Sequence, residues 1–409
     1  MKDLKIKYGG IEFKNPIIAV AGPLGRTYDA LKKSIEAGVS AVTLKSNNIE
    51  VKEEITPKPG CHVYPRPAHI FLNKYGLKDV MINWEGVPVD FTADKEAKLI
   101  EKIKTLAKNH DCKIIANLHP DMMYLQNPEI LRKDIKIIEE AGPDLFEFCP
   151  CTYHFPPGIT CIENVNFKEA AKNFAGMYDI IADNVSVPII AKLNFGVAHH
   201  THKKLNKHGI KNFHVSGGPA FHGTVIDIDK MEPLVPGPEV FMYGRIRRPI
   251  INLMTARTKN LGDNDIISSG GVWTVNDSIE RMMCGATLVG LHTAIQSKGH
   301  KLFGELINGV SEFLDEKGMN LKDIIGISIP KIVSYEEHEN FMRSHDLSPE
   351  EIRPVIDMDT CTGCGVCANC IHGGIDMENN KPQLNLDKCV RCGVCESLCP
   401  VDAIKLQKR

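Results

Sequence analysis

The hydrophobic pattern of the chain alternates between short apolar runs and longer stretches with a helical repeat. The apolar runs predict eight buried β-strands: Pro16–Val20, Ser40–Leu44, Lys113–Asn117, Asp144–Phe148, Val187–Leu193, Lys211–Ser216, Asp265–Ser269 and Thr287–Leu291. A helical repeat is present at Tyr28–Ala37, Glu96–Asn109, Ile130–Ala141 and Asn276–Met283. Alternating strands and helices predict a parallel sheet of the α/β class, and eight such strands over residues 1–330 fit a (β/α)8 TIM barrel. A doubly wound open sheet is the alternative, although no G-x-G-x-x-G motif follows the first strand.

Composition and charge place the chain among ordinary globular proteins. It has 409 residues, 43% of them hydrophobic and 24% charged, and a formal net charge of -2. This charge balance gives no support for a nucleic-acid or anionic membrane partner. No apolar run is long enough to span a membrane, and the N-terminal MKDLKIKYGG lacks the apolar core of a secretory signal. We therefore predict a cytoplasmic protein.

The cysteines change this picture, because eight of the 14 lie close together near the C-terminus. The first run is Cys361, Cys364, Cys367 and Cys370; the second is Cys389, Cys392, Cys395 and Cys399. The second run and Pro400 form C-x2-C-x2-C-x3-C-P, a spacing typical of two [4Fe-4S] clusters in which each fourth cysteine serves the other cluster. We therefore assign Cys361, Cys364, Cys367 and Cys399 to one cluster and Cys389, Cys392, Cys395 and Cys370 to the other. A pair of zinc sites is the alternative, but triplets at two-residue spacing argue against it.

This tail resembles a two-cluster bacterial ferredoxin. The resemblance covers residues 355–409 and implies a small α+β ferredoxin-like domain, with a linker at 331–354. The first cysteine run departs from the pattern, because Cys370 follows by two residues rather than three and no proline comes after it. The seating of Cys370 is therefore the open point of this assignment.

A TIM barrel carries its chemistry at the C-terminal ends of its strands. There the seventh strand is followed by Gly270-Gly271 and the eighth by His292-Thr293, which predicts a phosphate site; simple turns are the alternative. Lys45 and Lys192 end or interrupt apolar strands, so we expect them to meet an anion or a ligand unless they extend to solvent. The proline-rich segment from Asn47 to Asp94 is too long for a plain connection and is predicted to cover the barrel mouth.

Residues 1–310 resemble the dihydroorotate dehydrogenase superfamily, in its dihydropyrimidine dehydrogenase branch. The resemblance rests on YGGIEFKNPIIAVAG, AVTLKS, VPIIAKL, IISSGG and LVGLHTAIQ, which occur in that order, and on the fused cysteine-rich tail. It implies an FMN whose phosphate is held by Gly270, Gly271, His292 and Thr293, with Lys45 and Lys192 against the flavin ring. A cation there would stabilise the anionic reduced flavin. The family's flavin site further implies roles for Ala21, Gly22, Ser216, Gly217, Gly244 and Ser269.

The same resemblance implies a catalytic loop after the fourth strand, in FCPCTYHFPPGITC. Cys161 matches the family's general acid, and a thiol near its reference pKa of about 8.5 is protonated at neutral pH. Two alternatives remain for it: an ordinary small loop residue, or a metal ligand with neighbouring cysteines and His154. The Arg245–Arg248 cluster either meets an acidic group of the substrate or a phosphate, or is a solvated patch.

The substrate contacts depart from the family. Cys149 replaces an asparagine near the end of strand four, and Ser216-Gly217 replace an Asn-Thr pair after strand six. We assign the substrate contacts to Asn73, Cys149, Cys151 and Asn194. The resemblance implies reduction or oxidation of a C=C bond in a pyrimidine-like cyclic amide. Another unsaturated substrate, or an electron-relay subunit without its own substrate, remains as an alternative.

The chain carries no nucleotide fingerprint for NAD. We therefore expect its electrons to come from a separate subunit with FAD and an NAD(P)H site, or from a soluble ferredoxin. The family resemblance also implies a homodimer.

Overall fold

The computed structural model describes most of the chain. The described residues are 2–46, 69–83, 91–119, 127–148, 177–193, 202, 205–216, 223–235, 240–334, 336–337, 339–340 and 352–408. They form two compact units, Met1–Val333 and Ser334–Arg409. No helix among these residues is long and apolar enough to cross a membrane.

The first unit contains a closed barrel of eight parallel strands, as the alternating pattern predicts. In chain order these are β1 (Ile17–Ala19), β2 (Ala41–Thr43), β3 (Lys113–Leu118), β4 (Leu145–Phe148), β5 (Ile189–Leu193), β6 (Asn212–Ser216), β7 (Asp265–Ser269) and β8 (Leu288–Leu291). Each strand pairs with the next, and β8 pairs with β1 to close the ring. The open-sheet alternative is therefore excluded, and the TIM barrel is confirmed.

Amphipathic helices surround the barrel and bury their apolar faces against it. The long ones are Tyr28–Glu36, Ala93–Asn109, Pro128–Glu140, Arg248–Lys259, Val275–Met283 and Lys301–Lys317, with shorter ones at Thr293–Lys298, Leu321–Ile324 and Ile329–Val333. The four predicted helices are all present, with ends shifted by up to three residues. At the opposite end from the strand C-termini, a hairpin of Ile6–Tyr8 and Ile11–Phe13 covers the barrel. Its Tyr8 hydroxyl donates to the Phe213 carbonyl at 3.1 Å.

A small antiparallel sheet lies on the side of the barrel where β2 and β6 end. It pairs Phe241–Gly244 with Val80–Asn83, which in turn pairs with His69–Phe71. Val80–Asn83 belongs to the long segment after β2, and Phe241–Gly244 belongs to the connection after β6. The described part of the proline-rich segment is thus tied to the face where the chemistry of such barrels occurs.

The second unit contains two antiparallel strand pairs and two short helices. Its outer strands, Ile352–Ile356 and Ile404–Lys408, are antiparallel partners, and its inner strands, Ile375–Glu378 and Lys381–Leu384, form a hairpin. One short helix contains the third cysteine of each triplet: a 3-10 turn at Val366–Asn369 contains Cys367, and an α-helix at Val394–Leu398 contains Cys395. This is a ferredoxin-type α+β fold, as the tail predicts.

Candidate active site and cluster-binding cysteines

The most unusual feature of the barrel interior is a buried acid that contacts a histidine and a lysine. Glu147 on β4 is fully buried, and its Oε2 lies 2.5 Å from His214 Nδ1 on β6. Its other oxygen lies 3.2 Å from the ammonium of Lys192 on β5, whose side chain is only 13% exposed. Because a buried charge is costly without a partner, this carboxylate explains how Lys192 can remain charged inside the barrel.

Neighbouring strands extend this cluster on both sides. Asn117 on β3 donates its amide to Glu147 Oε1 at 2.5 Å, and His214 Nε2 lies 2.7 Å from Ser269 Oγ at the end of β7. Burial alone would raise the pKa of Glu147, but His214 and Lys192 lower it to about 2. The carboxylate is therefore ionised throughout the neutral range. We call Asn117, Glu147, Lys192, His214 and Ser269 the barrel cluster.

The ends of β1, β2 and β8 meet beside this cluster. The backbone N–H of Lys45 donates to the Gly25 carbonyl at 3.0 Å, so the loop after β1 holds the start of the loop after β2. Gly22 packs on the His292 ring so closely that a Cβ would lie 2.2 Å from Nε2. Gly22 and His292, both predicted to bind flavin, are therefore adjacent in space.

The loop after β7 has a backbone that only glycine tolerates. Gly270 has φ +110 and Gly271 has φ +81, in the region that side chains rarely adopt. A Cβ on Gly271 would lie 2.5 Å from the Arg248 backbone nitrogen. The loop can thus pack against the start of the helix Arg248–Lys259 and leave its own amides at the barrel mouth.

The next turn of the same loop is held by Asp277. Its Oδ2 accepts the backbone N–H groups of Trp273 and Thr274 at 2.9 Å each, which caps the helix Val275–Met283. Burial would raise the pKa of Asp277, but hydrogen bonds from Arg248, the Trp273 backbone and the Thr274 side chain hold it below its usual value. The loop is therefore fixed by charge as well as by packing.

The arginine cluster is largely engaged with protein groups. Arg248 donates to Asp277 and lies 3.3 Å from Glu280, while Arg245 lies 3.4 Å from both Asp79 and Asp277. Arg247 is buried, with its guanidinium 4.0 Å from the centre of the Tyr243 ring. These contacts favour a supporting role for the arginines behind the loop rather than a solvated patch.

The remaining predicted flavin residues lie on the same side of the barrel. Ser216 and Ser269 are register partners at the ends of β6 and β7, and Thr293 begins the short helix after β8. Ala21 precedes Gly22 in the loop after β1. Gly244, with φ +99, ends its strand so close to Asp79 that a Cβ would lie 2.1 Å from the Asp79 carbonyl oxygen.

These residues fit an FMN. Two buried polar atoms at the ends of their strands, Thr43 Oγ1 and Asn117 Oδ1, have no hydrogen-bond partner among the described residues. A ring with alternating donors and acceptors could satisfy both. Lys192 is a cation of the kind that would stabilise an anionic reduced flavin, and the Gly270-Gly271 backbone is suited to a close approach by a phosphate.

Several predicted site residues lie outside the described residues, namely Cys149, Cys151, Cys161, Asn194 and Gly217. The predicted substrate contact Asn73 is described, and it is exposed in a 3-10 turn at Leu72–Tyr75. Its Oδ1 accepts the backbone N–H of Asp79 at 2.7 Å. The structure thus assigns Asn73 a local role in shaping that turn.

The first cysteine triplet and the last cysteine of the tail line one small cavity. Its walls include Cys361, Cys364, Cys367 and Cys399, the four residues that the spacing assigns to one cluster. The backbone N–H of Ala403 donates to Cys399 Sγ at 3.2 Å. The N–H groups of Val401 and Ala403 lower the pKa of Cys399, which favours the thiolate that binds iron.

The second set of cysteines is arranged in a similar way. Cys389, Cys392 and Cys395 are close enough for the first two to raise the pKa of the third, although burial is the larger cause. Gly374 connects Cys370 to this group, since its N–H donates to Cys370 Sγ at 3.4 Å and its Cβ position would lie 3.1 Å from Cys389 Cα. Cys370 is therefore next to the second triplet despite its unusual spacing.

No group of three or more His, Cys, Asp or Glu side chains in the described part of the chain is arranged to hold a single metal ion. Thiolates of an iron–sulfur cluster stand further apart, because the inorganic core lies between them. The cysteine geometry is thus compatible with clusters.

Glu147, His214 and Asn117 were missed at the level of sequence. One signal was available: Glu147 is a charged residue within the apolar run LFEF, just as Lys192 interrupts IIAKL. Two opposite charges on adjacent buried strands are expected to pair.

Comparison with known proteins matches the two units separately. Residues 243–314 match the dihydroorotate dehydrogenase family, and residues 382–405 match the 4Fe-4S binding domain. The catalytic subunit of dihydroorotate dehydrogenase B (NAD(+)) from Methanocaldococcus jannaschii is 27% identical over 337 residues, 80% of this chain and 98% of that protein. The corresponding subunit from Pyrococcus furiosus is 25% identical over 334 residues, 80% and 98%. The NAD-dependent dihydropyrimidine dehydrogenase subunit PreA from Escherichia coli K12 is 23% identical over 394 residues, 91% and 86%.

Proposed function

We propose that this chain is a flavin- and iron–sulfur-dependent oxidoreductase. It would interconvert a C=C bond of a pyrimidine-like cyclic amide and its reduced form. The chain joins a barrel of the dihydroorotate dehydrogenase kind to a 4Fe-4S binding domain. The observation that carries the proposal is the Lys192–Glu147 pair of the barrel cluster. It holds an ammonium ion at the mouth of a TIM barrel, beside loops suited to a phosphate. The names of the relatives support the ring type, because dihydroorotate is itself a dihydropyrimidine.

The proposed roles of the described residues follow from their positions at the barrel mouth. Gly270 and Gly271 would bind the FMN phosphate with His292 and Thr293, while Lys45 and Lys192 would lie against the flavin ring. When bound and reduced by two electrons, FMN would supply a hydride to one carbon of the substrate double bond. Cys161 would donate a proton to the adjacent carbon, so that the C=C bond becomes CH–CH and both electrons of the hydride stay in the product.

Electrons would enter through two [4Fe-4S] clusters. Cys361, Cys364, Cys367 and Cys399 would hold one cluster, and Cys389, Cys392, Cys395 and Cys370 the other. Such clusters would supply one-electron transfer, so two electrons would be needed for each hydride. An FAD- and NAD(P)H-binding subunit, or a soluble ferredoxin, would supply them, since all three relatives named above are subunits of enzymes named for NAD.

The test is turnover with a reduced dye as electron donor and uracil, thymine or orotate as acceptor. We expect purified protein to contain FMN and iron, and one of these three compounds to oxidise the reduced flavin. Full flavin content without oxidation by any of the three would contradict the pyrimidine assignment. Absence of flavin after supply of FMN would contradict the flavoenzyme assignment as a whole.

Cys161→Ala tests the proton donor separately. The variant should retain FMN and accept electrons from the dye at the normal rate, while product formation falls by about 10²–10⁴-fold. Flavin reduction serves as the internal control, because it does not require the substrate proton. An unchanged rate of product formation would exclude Cys161 as the acid.

A further inference from the structure

We propose that Arg281 is a positioning residue for the phosphate end of the flavin: it fixes and polarises the Gly270–Gly271 peptide, so that the Gly271 N–H is presented to the phosphate. The inference rests on the proposed FMN site but concerns a residue that lies behind the loop and would not touch the ligand. Arg281 is on the helix Val275–Met283, the helix that directly follows the loop after β7.

All three described hydrogen bonds of Arg281 go to neutral acceptors. Its Nε donates to Asn252 Oδ1 at 2.6 Å, its Nη1 to Ser268 Oγ at 3.0 Å and its Nη2 to the Gly270 carbonyl at 2.7 Å. The side chain is fully buried. A guanidinium ion in such a place is costly, since burial removes its hydration and none of these acceptors carries a compensating charge.

The arginine nevertheless remains charged. Burial lowers its pKa to about 10, while Cys284, Glu280 and Asp277 act in the opposite direction through space. This pKa is still well above neutrality, so a positive charge lies permanently beneath the loop.

The acceptors of Arg281 are themselves held firmly. Ser268 Oγ also bonds Thr255 Oγ1 at 2.6 Å, and Thr255 donates to the Ile251 carbonyl at 2.7 Å. Asn252 lies on the same helix, Arg248–Lys259, whose first residue packs against Gly271. The guanidinium fork therefore connects a rigid helix to the loop, and its planar geometry sets the direction of the Gly270 carbonyl.

The orientation of the Gly270–Gly271 peptide relates Arg281 to the proposed phosphate site. In a trans peptide the carbonyl of one residue and the N–H of the next point in opposite directions. The Gly270 carbonyl points at Arg281, so the Gly271 N–H points away from it. A hydrogen bond from a cation to the carbonyl also strengthens the N–H of the same unit as a donor. Arg281 thus orients and polarises a donor for an anion that it does not contact.

A purely structural role would have a different consequence. If Arg281 only held the two helices together, its loss would weaken every ligand of the barrel mouth alike. If it acts on the phosphate donor, its loss would weaken FMN and leave riboflavin, which has the same ring and no phosphate, almost unchanged. The ratio of the two dissociation constants separates these roles without any measurement of turnover.

The experiment titrates flavin-free, cluster-containing full-length protein with FMN and with riboflavin, followed by quenching of flavin fluorescence. We compare the wild type with Arg281→Met, which keeps an unbranched stem in place of the arginine's but removes the guanidinium. The control is Arg257→Met, at an exposed arginine on the helix Arg248–Lys259. Arg281→Met should lower FMN affinity by about 10- to 100-fold, the range for a lost charged hydrogen bond, and riboflavin affinity by less than about threefold. Arg257→Met should change neither.

Arg281→Lys covers the case in which the methionine variant does not fold. It keeps the buried charge but loses the planar guanidinium. Its preference for FMN over riboflavin should therefore be weaker than that of the wild type but not absent. The ³¹P resonance of bound FMN should shift in this variant and stay in place in Arg257→Met.

Equal losses for both flavins, or an unchanged preference for FMN in Arg281→Met or Arg281→Lys, would overturn the inference and leave the proposed function intact. A wild type that binds neither flavin would instead contradict the proposed function.

Discussion

At the scale of single residues, the most informative side chains are charged groups inside apolar strands. Lys192 can be recognised from sequence as a cation in an unfavourable place, and the structure pairs it with Glu147, which is fully buried. His214 occupies the second oxygen of that carboxylate. Each of these groups is tolerated in the interior only because the others are present. Removal of one should therefore leave the others without a partner and destabilise the folded state.

Glu147→Gln should therefore destabilise the barrel strongly. Lys192 would lose its counter-ion in the interior, and breaking such a pair costs about 3–5 kcal/mol. Glu140→Gln is the control, because Glu140 is exposed and lies 3.9 Å from Lys136 on the surface, where a pair contributes at most about 1 kcal/mol. Urea denaturation followed by near-ultraviolet circular dichroism measures both. Equal effects of the two variants would show that the buried pair contributes nothing special.

The stability difference between wild type and Glu147→Gln should depend on pH. The folded-state pKa of Glu147 is about 2 against a reference of 4.5, so its ionisation favours the folded state above pH 4.5. That contribution is lost as the pH falls from 4.5 towards 2. The difference between the two proteins should therefore be constant near neutrality and shrink in acid. Comparing them cancels the acid sensitivity of the clusters, which both share, and a difference that grows in acid would contradict the assigned ionisation.

Gly271→Ala tests the backbone of the phosphate loop. The substitution forces a positive φ on alanine, at a cost of about 1–2 kcal/mol, and places its Cβ 2.5 Å from the Arg248 nitrogen. Gly318→Ala is matched for strain, since Gly318 has φ +63 but no atom within 4 Å of the Cβ position. Denaturation should show a larger loss for Gly271→Ala, together with a loss of bound flavin. Similar losses and normal flavin in both would argue against close packing of this loop.

At the scale of elements, the loop after β7 is held by the helix that follows it. Asp277 accepts two backbone donors from the loop and also binds Arg248, so a single carboxylate connects loop, helix and arginine cluster. From sequence alone, Thr274 and Asp277 predict only an ordinary capping box. The burial of Asp277 and its pairing with two arginines are what make this cap part of the site.

Asp277→Asn should cost more than a usual cap. The amide keeps an oxygen for the backbone but leaves Arg245 and Arg248 without that counter-charge, so we expect a loss of about 2–4 kcal/mol. Asp323→Asn is the control, because Asp323 accepts the Asn320 N–H at 2.7 Å in an exposed turn; its loss should be about 0.5–1 kcal/mol. Thermal unfolding measures both, and indistinguishable variants would reduce Asp277 to an ordinary capping residue.

At the scale of the whole molecule, the chain combines two units with different chemistry. The predicted resemblance is confirmed for both, by a dihydroorotate dehydrogenase match within the barrel and a 4Fe-4S match in the tail. Within the tail, the last cysteine of each run is brought towards the other triplet, since Cys399 lines the cavity of the first and Cys370 lies beside Cys389 through Gly374. The number of clusters follows from this crossed arrangement and remains a prediction.

Substitution of the crossed cysteines tests that prediction. The full chain should contain about eight irons, and each single cysteine-to-alanine change should reduce this to about four. Cys399→Ala and Cys361→Ala should leave the same paramagnetic resonance signal after reduction, whereas Cys370→Ala should leave the other. Iron analysis and low-temperature spectra provide the measurement. A match between Cys399→Ala and Cys389→Ala would instead assign Cys399 to the second cluster.

Much of the fold can be read from the sequence because its signals are local. The eight barrel strands are apolar runs bounded by polar turns, and each predicted strand coincides with an observed one. The grouping of each cysteine triplet is predicted from spacing alone, because short loops between thiolates restrict what they can bind together. The glycines after β7 mark a tight backbone for the same local reason.

The partners inside the barrel were decided only by the tertiary structure. His214 is 67 residues from Glu147 and 55 from Ser269, and Arg281 meets Asn252 across 29 residues. An apolar pattern shows which side chains point inward, but the stagger and closure of the strands determine which of them meet at the same height. Charge pairing in an interior of low dielectric then selects one arrangement, and that selection is a property of the closed barrel rather than of any segment of the sequence.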